Sequence, residues 1–130
     1  MEFKTVDSFE SLPPLIRKAY HEAAPSLCPD VFFFENNGAH FSYDYVVVKD
    51  LFWSTARVHR PIPELENYVD SFVDRGYNAP ITNIENNNSI ELIYSHYCKY
   101  MQEKNCICEL FKLPKLSLHR IGIPESYWVQ

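Results

Sequence analysis

A mixed α/β fold of the α+β kind, with a mainly antiparallel sheet flanked by helices, is the class that this sequence predicts. Stretches in which apolar and polar residues alternate indicate half-buried strands, and three stretches with apolar residues at helical spacing separate them. Aromatic residues pack well on pleated surfaces, and nine Phe and nine Tyr favour a sheet. A length of 130 residues predicts one domain, residues 1–130.

The N-terminal part of the chain predicts a strand followed by a helix. Residues 3–6 form the short strand. The helix begins at Pro13-Pro14, because proline is tolerated in the first turn of a helix, and Pro25 ends it. Its apolar face consists of residues at helical spacing, namely Leu15, Ile16, Ala19, Tyr20 and Ala23.

A meander of three strands is predicted next. The strands at residues 31–35 and 39–49 flank Asn36-Asn37-Gly38, which favours a hairpin turn because Asn and Gly adopt positive φ at little cost. A turn at Lys49-Asp50 leads to a third strand over residues 51–58. Strands joined by such short connections pair antiparallel, so this meander is the predicted centre of the sheet.

The second half of the chain predicts two helices and three extended segments. Residues 64–75 form a helix that ends at Gly76, and residues 77–84 are extended. Another helix is capped by Asn88 or Ser89 and runs to about Lys104, and strands follow at residues 106–113 and 116–123. The inward residues of the first of these helices are Leu65, Tyr68, Val69, Phe72 and Val73, and those of the second are Ile90, Ile93, Tyr94, Tyr97, Tyr100 and Met101.

Charge and hydropathy exclude several classes of function. A formal net charge of −5, without clustered Lys and Arg, argues against a nucleic-acid-binding surface. No apolar stretch approaches the ~20 residues of a membrane span, and the first residues lack the apolar segment of a secretory signal. We therefore expect a cytoplasmic protein with no membrane span and with reduced cysteines.

Cysteine and histidine are concentrated in one part of the chain but do not predict a metal site. Both are common zinc ligands, yet their spacing here matches no standard zinc motif. The cysteines are interpreted as small buried apolar residues. The residues concerned are His96, Cys98, Cys106, Cys108 and His119.

The most specific pattern lies in residues 76–81 and 106–113. The first segment is a glycine-aromatic turn, Gly-Tyr-Asn-Ala-Pro-Ile, and the second is a strand, Cys-Ile-Cys-Glu-Leu-Phe-Lys-Leu. This turn, the helix after it and this strand resemble the Fem-type acyltransferases, and the whole element order resembles the Gcn5-related N-acetyltransferase fold to which they are related. Ala79 stands where that family has glycine, and Lys112 stands where it has arginine.

The resemblance implies a cleft near Tyr77, Asn78, Glu109 and Lys112. In such a cleft, Tyr77 would give a flat contact, Asn78 would orient polar groups and Lys112 would neutralise an anion. Alternation along the strand places Glu109 among apolar residues, so it is the candidate catalytic general base. The alternative for Glu109 is a structural acid that is hydrogen-bonded to a tyrosine or a backbone amide.

The related fold binds the coenzyme A pyrophosphate on a glycine-bearing loop that opens the helix after the fourth strand. The matching segment is expected at residues 57–64, which have no glycine and in which Pro61 and Pro63 remove amide donors. Arg57 and Arg60 could bind phosphate by charge alone. We therefore predict an acyltransferase-like domain without a bound cofactor, in which acetyl-CoA binding is degenerate and catalysis is weak or absent.

A non-enzymatic protein-binding module is the alternative prediction. An immunity or inhibitor protein from a mobile element would fit the small size, the mild acidity and the abundant tyrosine of this chain. Whether the chain is an enzyme, and which substrate or protein partner it takes, stays open at this point.

A homodimer through the C-terminal strands is a further prediction from the sequence. The related acyltransferases pair two such domains, and an open sheet edge favours pairing with another chain. Light scattering is expected to give a dimer for the intact chain and a monomer for a truncation before Glu125, whereas a monomeric intact chain at high concentration would contradict the idea. The apolar residues of this segment are Leu116, Leu118, Ile121, Ile123, Tyr127 and Trp128.

Overall fold

A computed structural model describes residues 1–23, 40–65, 67–72, 80–109 and 120–124 of the chain. Its strands are β1 (Lys4–Val6), β2 (His40–Val48), β3 (Leu51–Pro61), β4 (Val69–Phe72), β5 (Ile81–Thr82), β6 (Cys106–Glu109) and β7 (Arg120–Ile121). Its helices are α1 (Pro14–Ala23) and α2 (Asn87–Glu103), and a 3₁₀ turn (Phe9–Ser11) precedes α1.

The strands form one mixed, mainly antiparallel sheet, as the sequence predicts. β1, β2, β3 and β4 are neighbours in that order and pair antiparallel, and β6 then pairs parallel with β4. β5 pairs antiparallel with the first half of β3, and β7 in turn pairs antiparallel with β5. Since β4 and β5 run in the same direction along β3, they act as one interrupted strand.

The β2–β3 hairpin is the longest pairing in the sheet. Nine residue pairs join the two strands, from Val48 opposite Leu51 at the turn to His40 opposite His59 at the far end. The predicted turn at Lys49-Asp50 is confirmed, and Lys49 adopts a φ of 57° there. The register fixed by this turn decides which side chains of both strands share a face.

The two faces of the hairpin carry two separate apolar clusters because side chains alternate along each strand. One cluster packs against α1 and consists of Phe9, Leu12, Ile16, Ala19, Tyr20, Tyr43, Phe52, Ala56 and Ile81. The other packs against α2 and consists of Phe3, Val46, Trp53, Ile84, Ile90, Ile93, Tyr97 and Met101. The predicted apolar faces of the two helices are therefore confirmed in their main residues, while Leu15 is 37% exposed.

The helix predicted over residues 64–75 is wrong. Glu64 and Asn67 adopt φ values of 71° and 66°, which interrupt a right-handed helix, and Val69–Phe72 forms β4 between β3 and β6. Leu65 and Tyr68, predicted to face inward, are 48% and 46% exposed. Pairing with two strands has overridden the helical spacing, so the described residues contain two α-helices instead of three.

Of the other predicted elements, some are confirmed in part and some fall outside the described residues. The first strand and the strand from residue 106 are confirmed over Lys4–Val6 and Cys106–Glu109. The cap of α2 is Asn86 rather than Asn88 or Ser89. The strand at 31–35 and the hairpin turn at 36–38 lie outside the described residues, as do positions 110–113 and 116–119 of the last two predicted strands.

Gly122 makes a close contact between the end of β7 and the core. Its carbonyl accepts a hydrogen bond of 2.8 Å from the Trp53 indole, and its amide donates to the Pro80 carbonyl at 2.8 Å. A Cβ at this position would overlap the Trp53 ring, at 2.8 Å from its Cδ1 atom, and would lie 3.1 Å from Pro80 Cβ. Only glycine fits there without displacing the fully buried tryptophan.

We expect Gly122→Ala to lower the free energy of unfolding by ~1–3 kcal/mol because the added methyl group overpacks this contact. Urea unfolding followed by circular dichroism measures the change. Ser95→Ala, on the exposed face of α2, is the control and should change it by less than ~0.5 kcal/mol. Equal stability of the Gly122 variant and the control would contradict this account of the contact.

Candidate functional site

Three of the four predicted site residues lie outside the described part of the chain. These are Tyr77, Asn78 and Lys112. Glu109 is the last residue of β6, where its backbone pairs with Ser71 of β4 in the parallel part of the sheet. The assignment of these four residues to one cleft, and of Glu109 as a base, therefore stays a prediction.

The expected phosphate-binding position at residues 57–64 is wrong. The structure places Arg57 through Pro61 in β3, in the interior of the sheet, and the described residues between β3 and β4 form no helix. The Arg57 side chain is only 4% exposed and forms an ion pair with Asp44. It is therefore committed to a protein carboxylate. Among the described residues, α2 is the helix that comes after β4 and β5, and residues 83–86 lead into it.

The N-terminus of α2 already has an acceptor of its own. Asn86 Oδ1 accepts hydrogen bonds from the backbone amides of Asn88 at 2.9 Å and Ser89 at 3.1 Å. The amide of Ile90 donates to the Asn86 carbonyl oxygen at 3.1 Å. These amides are the donors that a bound anion would otherwise use at a helix start, and residues 83–89 contain no glycine.

A buried polar cluster lies on the α2 face of the sheet, and we call it the Asp44 cluster. It consists of Thr5, Asp44, Arg57, Tyr100 and Lys104. Arg57 Nε donates to Asp44 Oδ2 and Nη2 donates to Oδ1 at 3.4 Å, and Thr5 Oγ1 donates to Oδ1 at 2.5 Å. The fully buried Asp44 carboxylate thus accepts hydrogen bonds from three donor atoms. Because these bonds use its lone pairs, Asp44 is suited to a structural role rather than to that of a general base.

Thr5 connects this buried pair to the exposed end of α2. Its hydroxyl lies 2.6 Å from Tyr100 Oη and 2.6 Å from Lys104 Nζ. Because its one proton goes to Asp44, it accepts from both of these groups, which makes Tyr100 a donor. Lys104 also lies over the Tyr100 ring, 4.5 Å from the ring centroid. The cluster therefore joins β1, β2, β3 and α2.

Two further hydroxyls lie on the same face of the hairpin. Ser42 stands opposite Arg57 across the two strands, and Thr55 stands opposite Asp44. Both residues are fully buried, and neither hydroxyl has a hydrogen-bond partner among the described residues. The Asp44–Arg57 ion pair thus has buried polar neighbours on its own face of the sheet, an environment that holds these two charges in fixed positions away from water.

An apolar pocket of about 180 Å³ lies at the other end of the α2 face, beside the β2–β3 turn, and we call it the α2 pocket. Its walls are the buried side chains of Val46, Trp53, Ile84 and Ile93, and Ser89 is a polar group at its edge. Its rim is formed by Met1, Val48, Leu51 and Leu92, which are 48–58% exposed.

Asn83 holds one wall of the α2 pocket in place. Its side-chain amide donates to the Asp50 carbonyl at 2.7 Å, and its side-chain oxygen accepts from the Phe52 amide at 2.9 Å. The neighbouring Thr82 hydroxyl donates to the Phe52 carbonyl at 2.6 Å and accepts from the Ile84 amide at 3.1 Å. The wall residue Ile84 is therefore fixed against the start of β3, so the pocket has a preformed side.

The described residues contain neither a metal site nor a membrane-spanning helix. No group of three or more His, Cys, Asp and Glu in the described ranges could hold a metal ion. Over the same ranges, no helix has both the length and the hydropathy that a membrane span requires. Cys98 and Cys106 lie at half-buried positions and form no disulfide within the described residues.

Comparison with protein-family models, with curated proteins and with solved structures finds no match to this chain.

The Asp44 cluster and the α2 pocket were not predicted from the sequence, although the cluster left a detectable signal. Asp44 and Arg57 are opposite charges in two strands rich in apolar residues, and the turn at Lys49-Asp50 places Asp44 opposite Thr55, one side-chain repeat from Arg57. Opposite charges on the same face of one hairpin indicate an ion pair across the strands. The pocket has no comparable signal because its walls come from β2, β3, α2 and the segment after β5.

We expect the Asp44–Arg57 pair to show strong coupling. Asp44→Leu or Arg57→Met alone leaves one buried charge without its partner and should lower the free energy of unfolding by ~3–5 kcal/mol. The double variant should lose clearly less than the sum of both, as measured in a double-mutant cycle by urea unfolding. Additive losses would show that the two side chains act independently.

Proposed function

We propose that this chain is an acyltransferase-like domain, related to the Gcn5-related and Fem-type enzymes, in which coenzyme A binding is degenerate and catalysis is weak or absent. The observation that carries the proposal is the order of the elements. In the described residues, β1, α1 and the antiparallel strands β2 to β5 are followed by α2 and by β6, which pairs parallel with β4. This order shares its strand–helix start and its helix–strand end with the order on which the resemblance rests, whereas β4 stands where that order has a helix.

The N-terminus of α2 supports the proposal that coenzyme A binding is degenerate. In the related fold, a glycine-bearing loop at the helix after the fourth strand presents backbone amides to the pyrophosphate. At the matching position here, Asn86 Oδ1 occupies the amides of Asn88 and Ser89, and no glycine brings further amides close. A coenzyme would have to displace this cap before it could bind, at a cost of ~1 kcal/mol or more.

A ligand of this domain would contact the cleft that the resemblance implies, near Tyr77, Asn78, Glu109 and Lys112. The backbone position of Glu109, at the end of β6 beside β4, is compatible with that cleft because it lies in the parallel pair of strands. Exchange of Glu109 for glutamine would remove a base without changing the shape of the side chain.

Calorimetry with acetyl-CoA tests the proposal. We expect the natural chain to bind acetyl-CoA more weakly than about 1 mM, because the amides that would hold the pyrophosphate are occupied. In Asn86→Gly these amides are released at a cost of only a few tenths of a kcal/mol, and measurable binding should appear. Micromolar binding by the natural chain would contradict degenerate coenzyme binding, and turnover that Glu109→Gln abolishes would show an active enzyme.

A non-enzymatic protein-binding module, such as an immunity or inhibitor protein, is the second candidate function. The observation that favours it is the rim of the α2 pocket, where four large apolar side chains stay about half exposed. Contiguous apolar surface of this kind marks interaction sites in soluble proteins. A pull-down from the source cell separates the candidates, because a stoichiometric protein partner favours this one and a co-purified acyl donor favours the first.

The homodimer through the C-terminal strands remains a proposal alongside both functions. Within the described residues, β7 pairs with β5, and Ile123 is only 6% exposed. Part of the C-terminal apolar surface is thus covered within the same chain. The other side chains on which the dimer prediction rests, apart from Ile121, lie outside the described part of the chain.

A further inference from the structure

The exposed apolar surface of the described residues is concentrated at one place. Seven large apolar side chains are exposed in this part of the chain, and four of them form the rim of the α2 pocket. These four are Met1, Val48, Leu51 and Leu92. Each Å² of apolar surface left in water forgoes ~25 cal/mol, so this arrangement costs stability unless the surface becomes covered.

The size of the pocket indicates what it holds. A cavity of about 150 Å³ with apolar walls is large enough for benzene, and the α2 pocket has a volume of about 180 Å³. It therefore accommodates one Phe or Leu side chain.

The rim distinguishes a polypeptide from a free small molecule. A molecule that fills only the pocket would leave the outward surfaces of Val48, Leu51 and Leu92 exposed. A peptide that inserts one side chain would also lay its neighbouring residues over these three. An anchor residue in a pocket, surrounded by contacts that exclude water, is the usual arrangement of a strong protein interface.

The charges beside the pocket favour a basic partner. Glu2, Asp50 and Glu85 are exposed and directly adjoin the lining residues Met1, Leu51 and Ile84. Lys49 opposes them at the turn, and the whole chain carries a formal net charge of −5. Complementary charge steers a partner to such a surface and suppresses acidic competitors.

We propose that the α2 pocket is the docking site of a basic peptide segment of a partner protein, which inserts one Phe- or Leu-sized side chain. This inference rests on the binding-module function, and it names the surface and the chemistry that such a module would use.

Fluorescence anisotropy with designed peptides tests the inference. The probes are short lysine-rich peptides with one central Phe or Leu, the same peptides with a central Ala, and glutamate-rich peptides with the same anchors. The lysine-rich peptides with a central Phe or Leu should bind at least about tenfold more tightly than either control set. Added salt should lower their affinity. Equal affinity of the Ala and Phe peptides, or no measurable binding, would overturn the proposal.

Two leucine variants show where the peptide binds. Leu92→Asp places a carboxylate on the rim and should weaken the anchored peptides at least about tenfold, because the inserted apolar group would then meet a charge. Leu15→Asp is the matched control, since Leu15 is also an exposed helical leucine but lies on α1, at the opposite face of the sheet. Both variants should keep the unfolding midpoint. Equal binding by the two variants would place the peptide elsewhere.

The pull-down separates failure of this inference from failure of the function. A stoichiometric partner that Leu92→Asp loses and Leu15→Asp retains supports the pocket. A partner that both variants retain overturns the pocket but leaves the binding-module function standing. When the natural chain captures no partner, the function itself is contradicted, and the peptide affinities alone then decide on the pocket.

Discussion

The buried ion pair between Asp44 and Arg57 is the interaction on which the rest of this structure depends. Two charges in the interior are tolerated only when each is paired, so the register of the β2–β3 hairpin cannot slip without separating them. The nine residue pairs of that hairpin are in turn the frame against which β1, β4, β5 and both helices are placed. The ion pair therefore fixes the register of the β2–β3 hairpin.

Hydrogen bonds connect Asp44 to the helices on both faces of the sheet. On one face, Thr5 links the Asp44 carboxylate to Tyr100 and Lys104 at the C-terminal end of α2. On the other face, Tyr20 of α1 bonds to the Ser54 hydroxyl at 2.8 Å, and Ser54 donates to the Asp44 carbonyl oxygen at 3.0 Å. One residue of β2 thus anchors elements on both sides of the sheet, through its side chain on one and its backbone on the other.

The α2 pocket lies at the opposite end of the α2 face from this anchor. The polar interior under the C-terminal half of α2 is committed to structure, whereas the apolar interior under its N-terminal half opens into the α2 pocket. The capped start of α2 lies beside that pocket, since Ser89 belongs to both. The start of α2 is capped by its own Asn86, and apolar surface is presented next to it.

The sequence by itself determined the class of the fold, the β2–β3 hairpin with its turn, the main apolar faces of α1 and α2, and the first strand. Each of these depends on local spacing or on a turn residue. Only the tertiary structure decided that Val69–Phe72 is a strand, because two neighbouring strands supply hydrogen bonds that outweigh the helical spacing of its side chains. It alone placed Arg57 in the core and formed the α2 pocket, since both depend on contacts between segments far apart in the chain.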